Sequence, residues 1–241
     1  MNTQESIGIF LPVRKGSERV INKNIRKFAN FECGLLELKL KALQNIKIID
    51  EIVVSTNDEM IIDILNRYSD DRIRLDRRPE RLCSSDTKMD DLMSYIPKVM
   101  NCELILWTHV TSPFVCSKIY TSAINKFIKE RNINPEVNSL TSVTKIKEFL
   151  WDPEFNKPLK HDFVNNGWPK TQDLMPLYEF NHAIYLIPKD VMKKNLNRIG
   201  DCNVFYEINK IDGFDIDTEE DFLIAESIYH KIMKNNRKIN L

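Results

Sequence analysis

An α/β fold built on a mostly parallel, doubly wound sheet is what this chain predicts, on three observations. Short apolar runs without alternation recur at residues 6–13, 51–56 and 103–110, each reading as a strand buried on both faces. Segments of helical period stand between them, and such alternation implies parallel strands. A stretch at 147–177, rich in Pro, Asn, Trp and Phe, keeps neither period and reads as a small insertion arm.

The elements follow in order. Residues 6–13 (SIGIFLPV) close on Pro and a polar Arg-Lys-Gly-Ser turn, as a first strand entering a ligand loop does. Leu36, Leu40 and Leu43, with lysines between, give a helix over 35–46, and 51–56 (EIVVST) is the second strand. Asn57 or Asp58 caps a helix reaching Tyr68; 72–76 is the third strand; a helix over 86–100 is capped by Asp or Thr. Residues 103–110 (ELILWTHV) form a fourth strand, 117–131 a helix with Ile119, Ala123, Phe127 and Ile128 on one face, and 139–145 a fifth strand. Beyond the arm, strands at 183–187 and 204–208 and a helix over 218–234 complete the fold, before a loose basic tail. The expected organisation is a core of 1–146 and 178–241 interrupted by the arm at 147–177.

Composition narrows the partners. Lys plus Arg (35) balances Asp plus Glu (35), so no overall field holds a nucleic-acid backbone or an anionic membrane, and any bound anion must meet a local cluster. The five cysteines form no CxxC pair and read as reduced, mostly buried thiols. No apolar run approaches the ~20 residues that span a bilayer, and the N-terminus lacks the basic start of a signal peptide, so the expectation is a cytoplasmic protein.

Three segments carry chemistry. Residues 11–24 (LPVRKGSERVINKN) place Arg14 and Lys23 where they can pair with phosphate oxygens, while Gly16 and Ser17 let backbone N–H groups approach the same anion; a solvated basic loop fits the composition equally. The spacing is neither that of a P-loop nor of a dinucleotide turn. At 78–87 (RPERLCSSDT), an Arg and short hydroxyls can hydrogen-bond a pyrimidine edge, and a polar connection capped by Asp86 fits as well. In 213–222 (GFDIDTEEDF), Asp215 and Asp217 alternate along an extended segment and so point the same way, which beside a triphosphate makes a Mg²⁺ site. Capping of the last helix by Asp217 or Thr218, with Glu220 or Asp221 in its first turn, is compatible with that reading.

These segments resemble, in order, those of the sugar-acid cytidylyltransferases, the acylneuraminate (CMP-sialic acid synthetase) family. The loop is similar to [IL]-P-A-R-x-x-S-[KR]-x-[IL]-x-x-K-N, with Pro12, Arg14, Ser17, Lys23 and Asn24 in register; 78–87 resembles R-P-x-x-L-[AS]-x-D-T; 108–114 (THVTSPF) resembles L-Q-P-T-S-P-[LF]-R; 181–185 (NHAIY) resembles N-G-A-[IV]-Y; and 215–226 resembles the family's C-terminal D-I-D-T motif. The resemblance implies a nucleotide-diphospho-sugar transferase fold, Rossmann-like, in which CTP is coupled to a nonulosonic or related sugar acid. It assigns the nucleotide to Pro12, Arg14, Gly16, Ser17, Arg19, Lys23, Asn24, Arg78 and Ser84, and the sugar side to His109, Thr111, Ser112 and Asn181. Mg²⁺ falls to Asp215 and Asp217; Arg14, Lys23 and Asp217 carry catalysis. The arm implies a homodimer through Trp151, Phe155 and Trp168, which suit a single core equally well.

The chain departs from the pattern at Glu18, where a base is usual, at His109 for Gln, at Val115 for Arg, and at Glu179-Phe180 for Arg-Pro. Either Arg19 replaces the base at 18 or turnover weakens. For the last, either another base such as Lys170 holds the acid's carboxylate or the acceptor is not ordinary sialic acid. Rival readings are a nucleotidyltransferase for another sugar, a nucleotide-binding relative without turnover, and a glycosyltransferase that consumes a nucleotide sugar.

Overall fold

The computed structural model describes residues 5–16 and 19–234. Its elements are β1 (Ile7–Pro12), α1 (Gly34–Gln44), β2 (Glu51–Thr56), α2 (Glu59–Leu65), β3 (Ile73–Arg77), α3 (Met89–Val99), β4 (Leu104–Trp107), α4 (Ser117–Ile133), β5 (Ser139–Ile146), β6 (Trp151–Asp152), β7 (Lys157–Pro158), β8 (Leu177–Pro188), α5 (Lys189–Asn195), β9 (Asn203–Glu207) and α6 (Glu219–Lys234). The large sheet has seven strands in the order β3-β2-β1-β4-β8-β5-β9. β1 pairs in parallel with β2 and β4, β2 with β3, and β5 with β9; β8 alone runs antiparallel, between β4 and β5.

Apolar residues on successive β1 positions feed both faces, as a doubly wound sheet requires. Ile9 and Leu11 join the larger core under α1, α2, α4 and α6, while Phe10 joins a second core under α3 and α5, edge-on to Trp107 at 5.5 Å between ring centroids. The mostly parallel α/β architecture expected from the apolar runs is therefore present.

Several boundaries differ from expectation. β8 extends over twelve residues, of which the apolar run at 183–187 is only the inner half, and the helix α5 after it carries no clear apolar face. α3 starts at Met89 with Lys88 as N-cap and no side-chain cap, so Asp86 and Thr87 lie in the turn before it. Asp58 does cap α2, its carboxylate accepting from the Met60 N–H at 3.0 Å. At α6, Thr218 and Asp221 form a reciprocal capping box: the Thr218 N–H donates to Asp221 at 2.8 Å and the Asp221 N–H donates to the Thr218 hydroxyl at 3.2 Å. In the arm, β6 and β7 form a short hairpin, and Phe149, Phe163 and Trp168 stack on one another with centroids 4.5–5.3 Å apart.

Candidate active site

At the C-terminal edge of β1 and β4 lies a solvent-open cleft of about 300 Å³, where an α/β sheet binds its ligands. Pro12, Arg14, Gly16, Arg19, Lys23 and Asn24 form one wall; His109, Val110 and Thr111 form the other. The basic loop is tied to the sheet by the Val13 N–H on the Ser55 carbonyl at 2.9 Å and folded on itself by the Asn24 amide on the Arg14 carbonyl at 3.3 Å. Gly16 has φ +74° with open space where a Cβ would stand, so glycine is needed there for its conformation rather than for room. Arg14 donates to the Cys83 carbonyl at 3.2 Å, which brings the 78–84 segment beside the loop. Ser17 and Glu18 lie outside the described residues.

The acidic segment closes the cleft from α6. The Ile216 N–H donates to the Thr111 carbonyl at 2.9 Å, fastening this segment to the β4 loop, and the Lys23 ammonium donates to the Ile216 carbonyl at 2.8 Å. Asp217 accepts from Arg19 at 2.8 Å and stands 4.0 Å from the Lys23 ammonium. Arg14, Arg19, Lys23, Asp215 and Asp217 thus gather at one cleft, from sequence positions some two hundred residues apart. Burial holds the Lys23 ammonium below its ordinary pKa, an effect that the nearby Asp217 and Asp215 oppose.

A divalent cation fits this donor set. Asp215 is largely buried and bonds to the Thr111 side chain; burial raises its pKa, and the neighbouring Asp217 adds to the rise. Its Oδ1 has no hydrogen-bond partner among the described residues, and an unsatisfied buried carboxylate oxygen is costly unless a cation meets it. No cluster of three or more His, Cys, Asp or Glu side chains suited to a metal occurs among the described residues; magnesium takes one or two carboxylates and completes its shell with phosphates and water.

Four expected contacts are placed elsewhere. Arg78 is buried, its guanidinium donating to the Ser55 carbonyl at 3.0 Å, so it fastens its segment to β2 instead of lining the cleft. Ser84 is exposed and its hydroxyl accepts from the Asp86 N–H at 3.0 Å, stabilising the turn. Ser112 is fully buried behind the cleft wall, its carbonyl accepting from Lys39 at 2.7 Å. Asn181 is buried at the β5–β8 register shift, with its amide 2.6 Å from the Ser142 hydroxyl and 3.0 Å from that of Thr144. A Cβ on Gly213 would come within 2.9 Å of that amide, so Asn181 packs under the acidic segment and supports it from within the sheet.

Three other groups near the cleft were not anticipated. Lys39 is fully buried, donating to Ser112 and, at 2.8 Å, to the Tyr120 hydroxyl, which in turn lies 2.7 Å from the Thr108 hydroxyl; burial brings Lys39 down to about 7. Its signal was available: Leu36, Lys39 and Leu43 stand three and four residues apart on the inward stripe. His182 takes φ +56°, the left-handed region that favours glycine, where the family's motif has Gly; its ring nitrogen is 2.6 Å from the Tyr185 hydroxyl. Arg198 sits in the connection between α5 and β9, where no periodicity marks it. Burial, with Arg198 and His182 nearby, holds His109 down to about 3, so its imidazole is neutral.

The chain is 26% identical over 225 residues to post-translational flagellin modification protein B of Campylobacter coli, covering 88% of this chain and 90% of that protein. Its fold is similar to that of a CMP:2-keto-3-deoxy-manno-octonic acid synthetase solved with CTP, at TM-score 0.63 and 11% identity over 94% of this chain and 99% of the other. The 4-diphosphocytidyl-2C-methyl-D-erythritol synthase of Anaerococcus prevotii gives TM-score 0.63 at 17% identity, again over 94% of this chain and 99% of the other. The sequence profile of the Cytidylyltransferase family matches residues 9–230, nearly the whole described fold, and the chain belongs to that family of nucleotidyltransferases.

Proposed function

We propose that this cytidylyltransferase couples CTP to a 2-keto sugar acid of the nonulosonic or octulosonic class, releasing pyrophosphate. The observation that carries the reading is that Arg14, Arg19 and Lys23 line one cleft, with Asp217 2.8 Å from Arg19 and 4.0 Å from Lys23, and with Asp215 bonded to Thr111 of the facing wall. The cations bind and orient the triphosphate; the anomeric hydroxyl of the sugar loses its proton to water and attacks the α-phosphorus, the new C–O–P linkage forms, and the bond to the β-phosphate oxygen breaks with pyrophosphate leaving in line. Arg14 and Lys23 stabilise charge that grows on the phosphate oxygens, and Arg19 exchanges its Asp217 partner for phosphate. Mg²⁺, held by Asp215 and Asp217, supplies charge neutralisation and orientation of the phosphates.

The sugar-acid acceptor is favoured by the resemblance of 181–185 and 215–226 and by the flagellin-modification relative. Three finer elements of the reading rest on lesser supports. A homodimer is favoured by the exposure of Trp151, Phe155 and Trp168 on the arm. A cytoplasmic site of action suits an enzyme that draws on CTP; no helix among the described residues is long and apolar enough to cross a membrane. The acceptor wall, with neutral His109 and with Glu179 in place of the usual Arg, favours an acid other than ordinary sialic acid.

Pyrophosphate release, assayed with CTP and the other nucleoside triphosphates against a panel of nonulosonic and octulosonic acids, tests the proposal. Turnover with CTP and at least one acid is the expected result. Tight CTP binding by calorimetry without pyrophosphate from any acid overturns it in favour of a nucleotide-binding relative without turnover.

A further inference from the structure

Near the cleft residue His109, whose pKa is lowered by burial and by the guanidinium's charge, Arg198 is held in an unusual way. Its guanidinium carbon stands 4.1 Å from the centre of the Tyr185 ring and 5.1 Å from that of Trp107. Trp107 also packs against His109 in a tilted arrangement, with centroids 5.7 Å apart, and His109 lines the cleft. Arg198 is partly buried and makes no ion pair or hydrogen bond to another described residue, whereas the remaining described arginines are either exposed or bonded to a carboxylate or carbonyl. A guanidinium stacked on aromatic faces has its position fixed by the rings and keeps its donors in the plane, along its edge. That edge matches the two oxygens of a carboxylate, and arginine keeps its charge even where burial disfavours it.

Among the described residues, the wall otherwise lacks a cation for an acidic acceptor. Glu179, at the position where the family's motif has Arg, is exposed on β8, and Lys170 is exposed on the arm. His109 is neutral. Lys39 is committed to Ser112 and Tyr120 behind the wall. From this arrangement we infer that Arg198, lying across the neighbouring rings of Tyr185 and Trp107, is the specificity-determining residue that receives the carboxylate of the sugar acid. The inference rests on the proposed function and deepens it: the charge that meets the acceptor's carboxylate is supplied from the connection after α5. Its neighbours Tyr185 and His182 are positioning residues, since the His182–Tyr185 contact of 2.6 Å fixes the ring on which the guanidinium lies.

The test uses the full chain with CTP and Mg²⁺, and offers each acid of the panel both free and as its C1 methyl ester. Wild-type enzyme is expected to prefer acid over ester by at least tenfold in kcat/KM. Arg198→Met is expected to raise the KM for the acid about 10–100-fold, the range for a charged hydrogen-bonded pair, to leave the CTP KM within twofold, and to abolish the acid–ester preference. Arg198→Lys should recover part of that preference. Because the preference is a ratio within one preparation, partial misfolding of a variant does not disturb it. An undiminished preference in Arg198→Met, or a rise confined to the CTP KM, overturns the assignment of Arg198 and leaves the cytidylyltransferase reading standing. Failure of the wild-type enzyme with every acid overturns both.

Discussion

The two walls of the cleft are built differently. On the nucleotide side, Arg14, Arg19, Lys23 and Asn24 come from one continuous loop after β1, tied to Ser55 and Cys83 by backbone groups. On the acceptor side, His109, Tyr185 and Arg198 come from three separate stretches of chain and meet through ring contacts. A triphosphate is the same for every member of such a family, so a local loop with a fixed pattern of charge serves it. An acceptor differs from member to member, and a wall assembled from distant side chains can change one contact at a time.

The strongest way to break this comparison is to remove the acid that faces the nucleotide wall. Asp217→Asn is expected to lower Mg²⁺-dependent turnover at least about a hundredfold, the scale for losing a charged transition-state contact, with an unchanged circular dichroism spectrum; wild-type rate in that variant refutes the metal assignment. Next in size, Lys23→Met should weaken CTP binding by about 10–100-fold while leaving acceptor KM near wild type, since its ammonium faces the phosphate side. Calorimetry with CTP measures the first and steady-state kinetics the second; a loss confined to acceptor KM would show that the walls are not functionally separate.

Behind the acceptor wall, Lys39 gives a smaller and pH-dependent effect. It titrates at about 7 in the folded protein against an ordinary 10.5, so between those values the unfolded chain holds a proton that the folded one has released. Stability therefore rises with pH across that window and is lower below it. Melting curves at pH 7 and 9 should show an increase in Tm, about 2–4 °C for each kcal/mol gained, and Lys39→Met should remove that increase. Smallest of all, Thr218→Ala deletes half of the α6 capping box and should cost about 1 kcal/mol, read as a fall of a few degrees in Tm with CTP affinity unaltered.

Legibility in the sequence followed the same division. β1, β2 and β4 announced themselves as apolar runs, and the nucleotide loop was visible because its cations, Gly16 and Asn24 are neighbours in the chain. What escaped depended on contacts between distant segments. Strand direction is not encoded in hydrophobicity, so the reversal of β8 was invisible. Asn181 looked like a substrate contact until the β5–β8 register shift placed it between Ser142 and Thr144. Arg78 and Ser112 matched a motif but lie buried: the Arg78 guanidinium is taken up by the Ser55 carbonyl, and Lys39 binds the backbone carbonyl of Ser112 behind the wall. Lys39 falls on the apolar stripe of α1, a position that a charged residue seldom occupies fully buried. Arg198 had no local signal at all; its setting is made by two rings that lie on other strands.

The reversed strand has a wider meaning. β3, β2, β1 and β4 form a parallel ladder complete in itself, and β5 and β9 reach it only through β8. That strand runs from the arm at Leu177 to the heart of the sheet at Pro188 and carries both His182 and Tyr185. It joins the half of the sheet that carries the cationic loop to the half that carries β5 and β9, so a side chain exchanged along β8 alters the seam between them without touching the β1–β4 ladder.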